Sequence, residues 1–277
     1  MTRGAASETG CSLAALGVRC TFLLIAAVPA HAQGSASQRP AYSAAQLHCT
    51  RWEESSESEI ETVTDRAASQ AAAGREGRWS FRAGDTTGGV ALEGWYDSLS
   101  VWRRSGNGSL APDTDGVIGG RYRGLLGPHG AYAARARPFV PDELAEVAEL
   151  GGALDDFFPP LPPRRLAPGE SWRGAETDIR RLADTVVAGR ALLRFALEAR
   201  RERSQTVPRG DTVPIPLRQT ITERGEFTWS SSTGLVGRTR DIVVETAISA
   251  AGRIRQPVRS RVTQHIELAR LPGLTCR

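Results

Sequence analysis

Lysine is absent from this 277-residue sequence, and all 35 of its basic side chains are arginine. Methionine occurs only at Met1 and asparagine only at Asn107. Such a leaning toward Arg, Ala and Gly is the mark of a GC-rich bacterial genome. Motifs that announce chemistry are absent too. There is no G-x-S-x-G nucleophile elbow, since Gly169-Glu170-Ser171-Trp172-Arg173-Gly174 has the wrong spacing. There is no H-E-x-x-H, no P-loop and no dinucleotide fingerprint. Asp113-Thr114-Asp115-Gly116 opens like a calcium loop, but its sixth and twelfth positions are Ile118 and Gly124 where Gly and Glu are needed, so it reads as a turn. Four cysteines in a chain of this length are too few for a dense disulfide scaffold.

What is present is material for a core. At 40% hydrophobic and 24% charged, the chain is neither wholly disordered nor a multi-span membrane protein. The formal charge of +4 is scattered, which argues against a nucleic-acid face. The nearest basic cluster, Arg200, Arg201 and Arg203, is interleaved with Glu198 and Glu202. It reads as a solvated strand end, with an anion site as the alternative. The acidic run Glu53, Glu54, Glu57, Glu59 and Glu61 suggests an edge strand kept from pairing with other chains.

Residues 1–32 read as a signal peptide. Arg3 and Arg19 precede the apolar stretch Cys20 to Ala30, which is shorter than the about 20 residues of a spanning helix. Ala30-His31-Ala32 gives a small-x-small cleavage pattern, so the exported chain is expected to begin at Gln33 and to work in the periplasm or outside the cell. Cleavage would leave two cysteines, Cys49 and Cys276, which an oxidising compartment favours as a disulfide. No transmembrane span is expected in the mature chain.

Residues 33–46, rich in Ser, Ala and Gln, read as a flexible leader. A first β half is expected over 47–158, with strands at Ser58–Asp65, Arg78–Ala83, Val90–Trp102, Gly116–Leu126 and Tyr132–Ala136. One helix is predicted over about 141–156. Pro141, Asp142 and Glu143 suit its first turn, and Leu144, Val147, Leu150 and Leu154 recur at helical spacing, interrupted by Gly151-Gly152. A Pro-rich joint over 159–174 leads to a second β half, 175–277. There Ile254 to Leu268 alternates with period two, and Gly225–Trp229 and Leu235–Ile248 form a hairpin. Arg190–Arg203 is read as strand, with helix as the alternative. The fold class is therefore mainly β with one or two helices, its long antiparallel strands forming an open, curved half-barrel or two packed β halves.

The long strands, the single amphipathic helix, Pro159-Pro160-Leu161-Pro162 and Leu166-Ala167-Pro168-Gly169-Glu170-Ser171-Trp172 together resemble an uncharacterised family of secreted bacterial proteins. In those, two β halves flank an LP…PGxSW joint. Gly234-Leu235-Val236 after a Ser-rich turn is similar to the second half of that family. More remotely, the layout resembles the half-barrels of periplasmic lipoprotein carriers. The resemblance implies a fold and carries no site residue.

Residues that could do chemistry are sparse. His48, His129 and His265 read as surface residues, and Asp155 and Asp156 would point about 100° apart on a helix. No catalytic residue, metal ligand or cofactor follows from the sequence. The feature that points to a ligand is the aromatic and aliphatic set Trp79, Trp95, Leu144, Val147, Leu150 and Trp229, expected to line an apolar cavity between sheet and helix. The leading expectation is a non-catalytic envelope protein that binds a lipid or another apolar small molecule. The alternative is a structural module with a filled core whose partner is another envelope protein. A hydrolase comes third.

Overall fold

The structure, a computed structural model, describes residues 39–209, 212–248 and 258–273. The signal peptide, the leader up to residue 38 and Cys276 lie outside the described residues. The chain opens with a one-turn helix, α1 (Ala44–Leu47), followed by β1 (Thr50–Val63), β2 (Ala68–Thr86), β3 (Gly89–Ser105), β4 (Gly108–Leu110), β5 (Tyr122–Leu126) and β6 (Tyr132–Ala136). A second single turn, α2 (Asp142–Ala145), begins a crossing segment, the plug, that ends at β7 (Ser171–Arg173). The chain continues through β8 (Thr177–Arg181), β9 (Thr185–Val187), β10 (Arg190–Arg209), β11 (Thr212–Ser230), β12 (Gly234–Ile248) and β13 (Val258–Arg270).

All strands join one 13-stranded antiparallel sheet in the order β6-β5-β3-β2-β1-β13-β12-β11-β10-β8-β7, with β4 on β3 and β9 on β10. It does not close, so the architecture is an open, curved half-barrel. The seam between the two ends of the chain is β1 against β13, in register from Trp52↔Arg270 to Val63↔Arg259. The outermost strands are short, β6 with 5 residues and β7 with 3, so β3 and β10 are covered over only part of their length. The acidic strand β1 is no edge. It is paired on both sides, with Glu53, Glu57, Glu59 and Glu61 on the wet outer face and Glu54 buried on the inner one. Alternation in sequence reveals a wet face but not which strands are neighbours. Among the described residues, no helix is long and apolar enough to cross a membrane.

The plug packs on the inner face of the sheet. Phe157 meets Trp52, Trp79 and Phe81 with ring centroids 5.7, 5.8 and 5.1 Å apart, and Phe158 packs on Tyr42 and Phe81. Leu144, Leu150, Leu154 and Leu161 are buried in the same core. The helix expected over 141–156 is thus a single turn. Beyond it, sheet side chains supply the donors that helical N–H groups would have supplied. Arg103 Nη1 donates to the Glu146 carbonyl (3.2 Å), Arg75 Nη1 to Glu149 (3.3 Å) and the Tyr122 hydroxyl to Leu150 (3.0 Å). Gly151-Gly152 then breaks any helical continuation.

The segment read as a flexible leader is ordered from residue 39 onward. Tyr42 is buried, donates its hydroxyl to the Pro159 carbonyl at 2.9 Å, and packs edge-on against Trp229. The joint read over 159–174 contributes Leu161 and Leu166 to the interior. The plug also rests on the β5–β6 turn, where Leu161 N donates to the His129 carbonyl. Gly130 there has φ +92°, and a Cβ would stand 2.5 Å from the Pro159 carbonyl oxygen. No side chain fits that approach.

Phe157 joins three aromatics of two strands to the plug, so Phe157→Ala should cost about 3–5 kcal/mol in urea unfolding. A loss under about 1 kcal/mol would mean that the plug is not packed as described.

Candidate functional site

The antiparallel register sorts the inner face into rows that cross the strands, because directly opposed residues share a face. At the floor, Trp52 lies opposite Trp79, and both are fully buried. Three rows up, Ala199, Glu223, Ile242, Gln264, Ser58 and Ala73 form a mixed row. The next row is apolar across five strands: Ile221, Val244, Val262, Ile60 and Ala71 face one another in sequence. All five are half-buried. The row ends on β10 at Arg201. Above it lies a polar row of Arg203, Gln219, Thr246, Ser260 and Thr62. With strands about 4.8 Å apart, the apolar stripe is about 19 Å long.

Between this trough and the edge of the plug lies a cavity of about 520 Å³. Ile60, Val262 and Ile242 line its sheet side, Val147 and Ala153 its plug side, and Arg203 and Arg240 its polar wall. A second depression of about 490 Å³ lies among Glu53, Glu76, Arg78 and Glu267 of the outer face.

A charged cluster anchors the cavity floor. Glu223 is buried and takes hydrogen bonds from Arg238 Nη2 (2.9 Å) and from Arg240 Nε and Nη2 (2.8 and 3.0 Å). Arg238 Nη1 also donates to the carbonyls of Asp156 (2.5 Å) and Phe157 (3.3 Å), fixing the plug to the sheet. Burial alone would raise the Glu223 pKa. Bonding from Arg240 and the charges of Arg240 and Arg238 outweigh it and hold the carboxyl below its ordinary value. Burial, with Arg240 beside it, pushes Arg238 down to about 10, so it stays charged at neutral pH. A second buried carboxylate, Glu54, accepts from Arg75 Nη2 (2.5 Å), Trp79 Nε1 (2.8 Å) and the Tyr96 hydroxyl (3.3 Å). Neither cluster pairs a nucleophile with a base. Among the described residues no group of three or more His, Cys, Asp or Glu could hold a metal ion.

Of the residues expected to line a cavity, Val147 does so. Trp79, Trp229, Leu144 and Leu150 instead fill the dry core, with relative exposure of 2% or less. Trp95 lies on the outer face, donating Nε1 to Asp97 (2.9 Å) under the Arg121 guanidinium, 3.7 Å from its ring. The phase of Val90, Leu92 and Tyr96, all buried, already excluded Trp95 from the inner face. The trough residues Ile221 and Val244 were missed. Each sits in a strand of mixed Thr, Glu and Val, and only the register brings them beside Val262 and Ile60.

No protein-family model matches the chain, and no curated protein matches it. Among solved structures, it is similar to lipovitellin as solved for its lipid–protein interactions, with 10% identity over 83% of this chain and a TM-score of 0.47. The chain spans 26% of that protein's length. At this level the likeness says nothing of what this chain does.

Glu223→Gln leaves the buried Arg238 without a counter-charge and Arg240 with only Asp156, 3.8 Å away, and should destabilise by about 3–5 kcal/mol in chemical unfolding. Because the folded-state pKa of Glu223 is depressed, its stabilisation is present above the ordinary carboxylate pKa. It is lost as pH falls through the lower folded value. The variant should therefore lose less stability than wild type over that acid window, and an unchanged acid slope would contradict the assignment.

Proposed function

We propose that this protein is an exported, non-catalytic envelope protein that holds an apolar, lipid-like ligand in the trough of its half-barrel. The observation that carries the reading is the stripe Ile221–Val244–Val262–Ile60–Ala71, half-exposed above the plug and continuous with a cavity of about 520 Å³. A contiguous apolar strip left in water is unfavourable by about 25 cal/mol per Å² of apolar surface, and covering it is what a ligand would do. The volume suits a small amphiphile, and pockets of this size are the usual home of small molecules. The lower half of the inner face is solid, so the ligand belongs at the open end, away from the aromatic core.

The test is native mass spectrometry of the purified protein together with uptake of a fluorescent fatty acid. Wild type is expected to carry or take up lipid. Val262→Glu, which sets a charge in the middle of the stripe, should abolish uptake while leaving the circular dichroism spectrum unchanged. Absence of both bound lipid and uptake in the wild type would sink the reading.

Export belongs to the same proposal and rests on Arg3, the apolar stretch Cys20 to Ala30 and Ala30-His31-Ala32. A bridge from Cys49 to Cys276 is supported by the seam. Leu271 N donates to the Arg51 carbonyl at 2.9 Å, and the antiparallel register carries the chain from there toward Cys49. Closing so long a loop stabilises by up to about 5 kcal/mol in the chain-entropy account. The exported product should begin at Gln33, and its non-reducing digest should contain one peptide joining Cys49 to Cys276. A product retaining Met1, or free alkylation of both thiols in the oxidised native protein, is the contrary result.

A further inference from the structure

We infer that the ligand of the trough is an amphiphile with one anionic head, lying across the strands with that head at Arg201 and Arg203 and its tail toward Ala71. This rests on the lipid-binding reading above and gives it a direction and a charge.

The two ends of the apolar stripe differ in chemistry. On β2 it ends at Ala71, next to small residues, Ser69 and Ala73 on the same face. On β10 it ends at Arg201, with Arg203 one step higher on the same face and Gln219 opposite it. An apolar chain laid along Ile60, Val262, Val244 and Ile221 therefore meets two guanidiniums at one end, whereas at the other the inward-facing Arg103, opposite Ala73, already donates to the Glu146 carbonyl.

Availability of these cations is the second observation. Most charged groups facing the cavity are already engaged. Glu54 is held by Arg75, Glu223 by Arg238 and Arg240, and Asp155 by Arg137. Glu149 is exposed on the plug, and Asp156 stands 3.8 Å from Arg240. Arg203 lines the cavity, is exposed, and has no carboxylate partner among the described residues. Arg201 is paired through its Nε with the exposed Glu176 carboxylate, 3.0 Å away. A pair with so exposed a carboxylate is weak, so the anionic head of a ligand can compete for the Arg201 guanidinium. A carboxylate or phosphate fits the guanidinium fork with two parallel bonds, whereas a hydroxyl does not.

Equilibrium dialysis of the purified protein with hexadecanoate, hexadecyl phosphate and hexadecanol, each below its micelle concentration, tests this. The carboxylate, the phosphate or both should bind about tenfold more tightly than the alcohol, and the preferred anion tells a fatty acid from a phospholipid-type head. Arg203→Gln and Arg201→Gln should each erode that preference, and the double variant should erase it, with alcohol affinity unchanged. Arg203 is exposed, so its variant should unfold at the wild-type denaturant midpoint and keep the comparison clean. Equal binding of all three ligands by wild type would overturn the anionic head and leave the apolar-binding reading standing. A preference that survives the double variant would overturn it as well. Binding of none of the three would remove the lipid-binding reading itself.

Discussion

The pairing of β1 with β13 is the constraint on which the rest depends. Twelve residue pairs join the first long strand of the chain to the last, and without them the sheet is two separate ribbons. Each ribbon would have an exposed long edge where the seam now lies, the arrangement that invites pairing with other chains. The seam also brings Glu54, Ser56, Ser58 and Ile60 beside Leu268, Ile266, Gln264 and Val262, which makes the cavity wall continuous. Because these partners are some two hundred residues apart in sequence, closing the seam carries a large loop-closure cost and marks a slow folding topology. A bridge from Cys49 would reinforce the place where that cost falls.

The plug poses the opposite problem. It is backbone buried on a sheet without belonging to the ladder, so its carbonyls need donors from elsewhere. Arginine supplies them. Arg75, Arg103, Arg238 and Arg240 reach in from three strands to Glu146, Glu149, Asp156 and Phe157 carbonyls. A guanidinium has five donors in a fixed fork, so Arg238 can bind Glu223 and two carbonyls together. An ammonium on a single point could not match that geometry. An all-arginine composition, which looks at first like a genomic habit, is thus put to structural use inside the half-barrel.

Coverage of the inner face falls from floor to rim, and function follows that gradient. Under the plug, Trp52, Trp79, Phe81 and Phe157 make a filled core. Above it, the same alternation of inward residues continues through Ile60 and Val262 with nothing packed on them. The strands run on past their own core. Stability is thereby concentrated at one end, and the other end is left as a surface whose apolar row and arginine terminus give a ligand both adhesion and orientation.

Composition and period two were enough to establish a mainly β protein of long antiparallel strands. The alternation read over Ile254 to Leu268, whose first four residues lie outside the described ones, and the turn around Ser230–Gly234 were legible because each depends on neighbours a few residues away. The buried character of Leu144, Leu150 and Leu154 was legible too, but not its conformation. Their helical spacing was overridden by Tyr122, Arg75 and Arg103, side chains from strands far away in sequence that took the carbonyls a helix would have used. Likewise nothing local could tell that β1 is interior, or that Arg201 continues the row of Ile221, Val244, Val262 and Ile60. Those are facts of register between strands, and register is decided only when distant hydrophobic faces find a common side of the sheet.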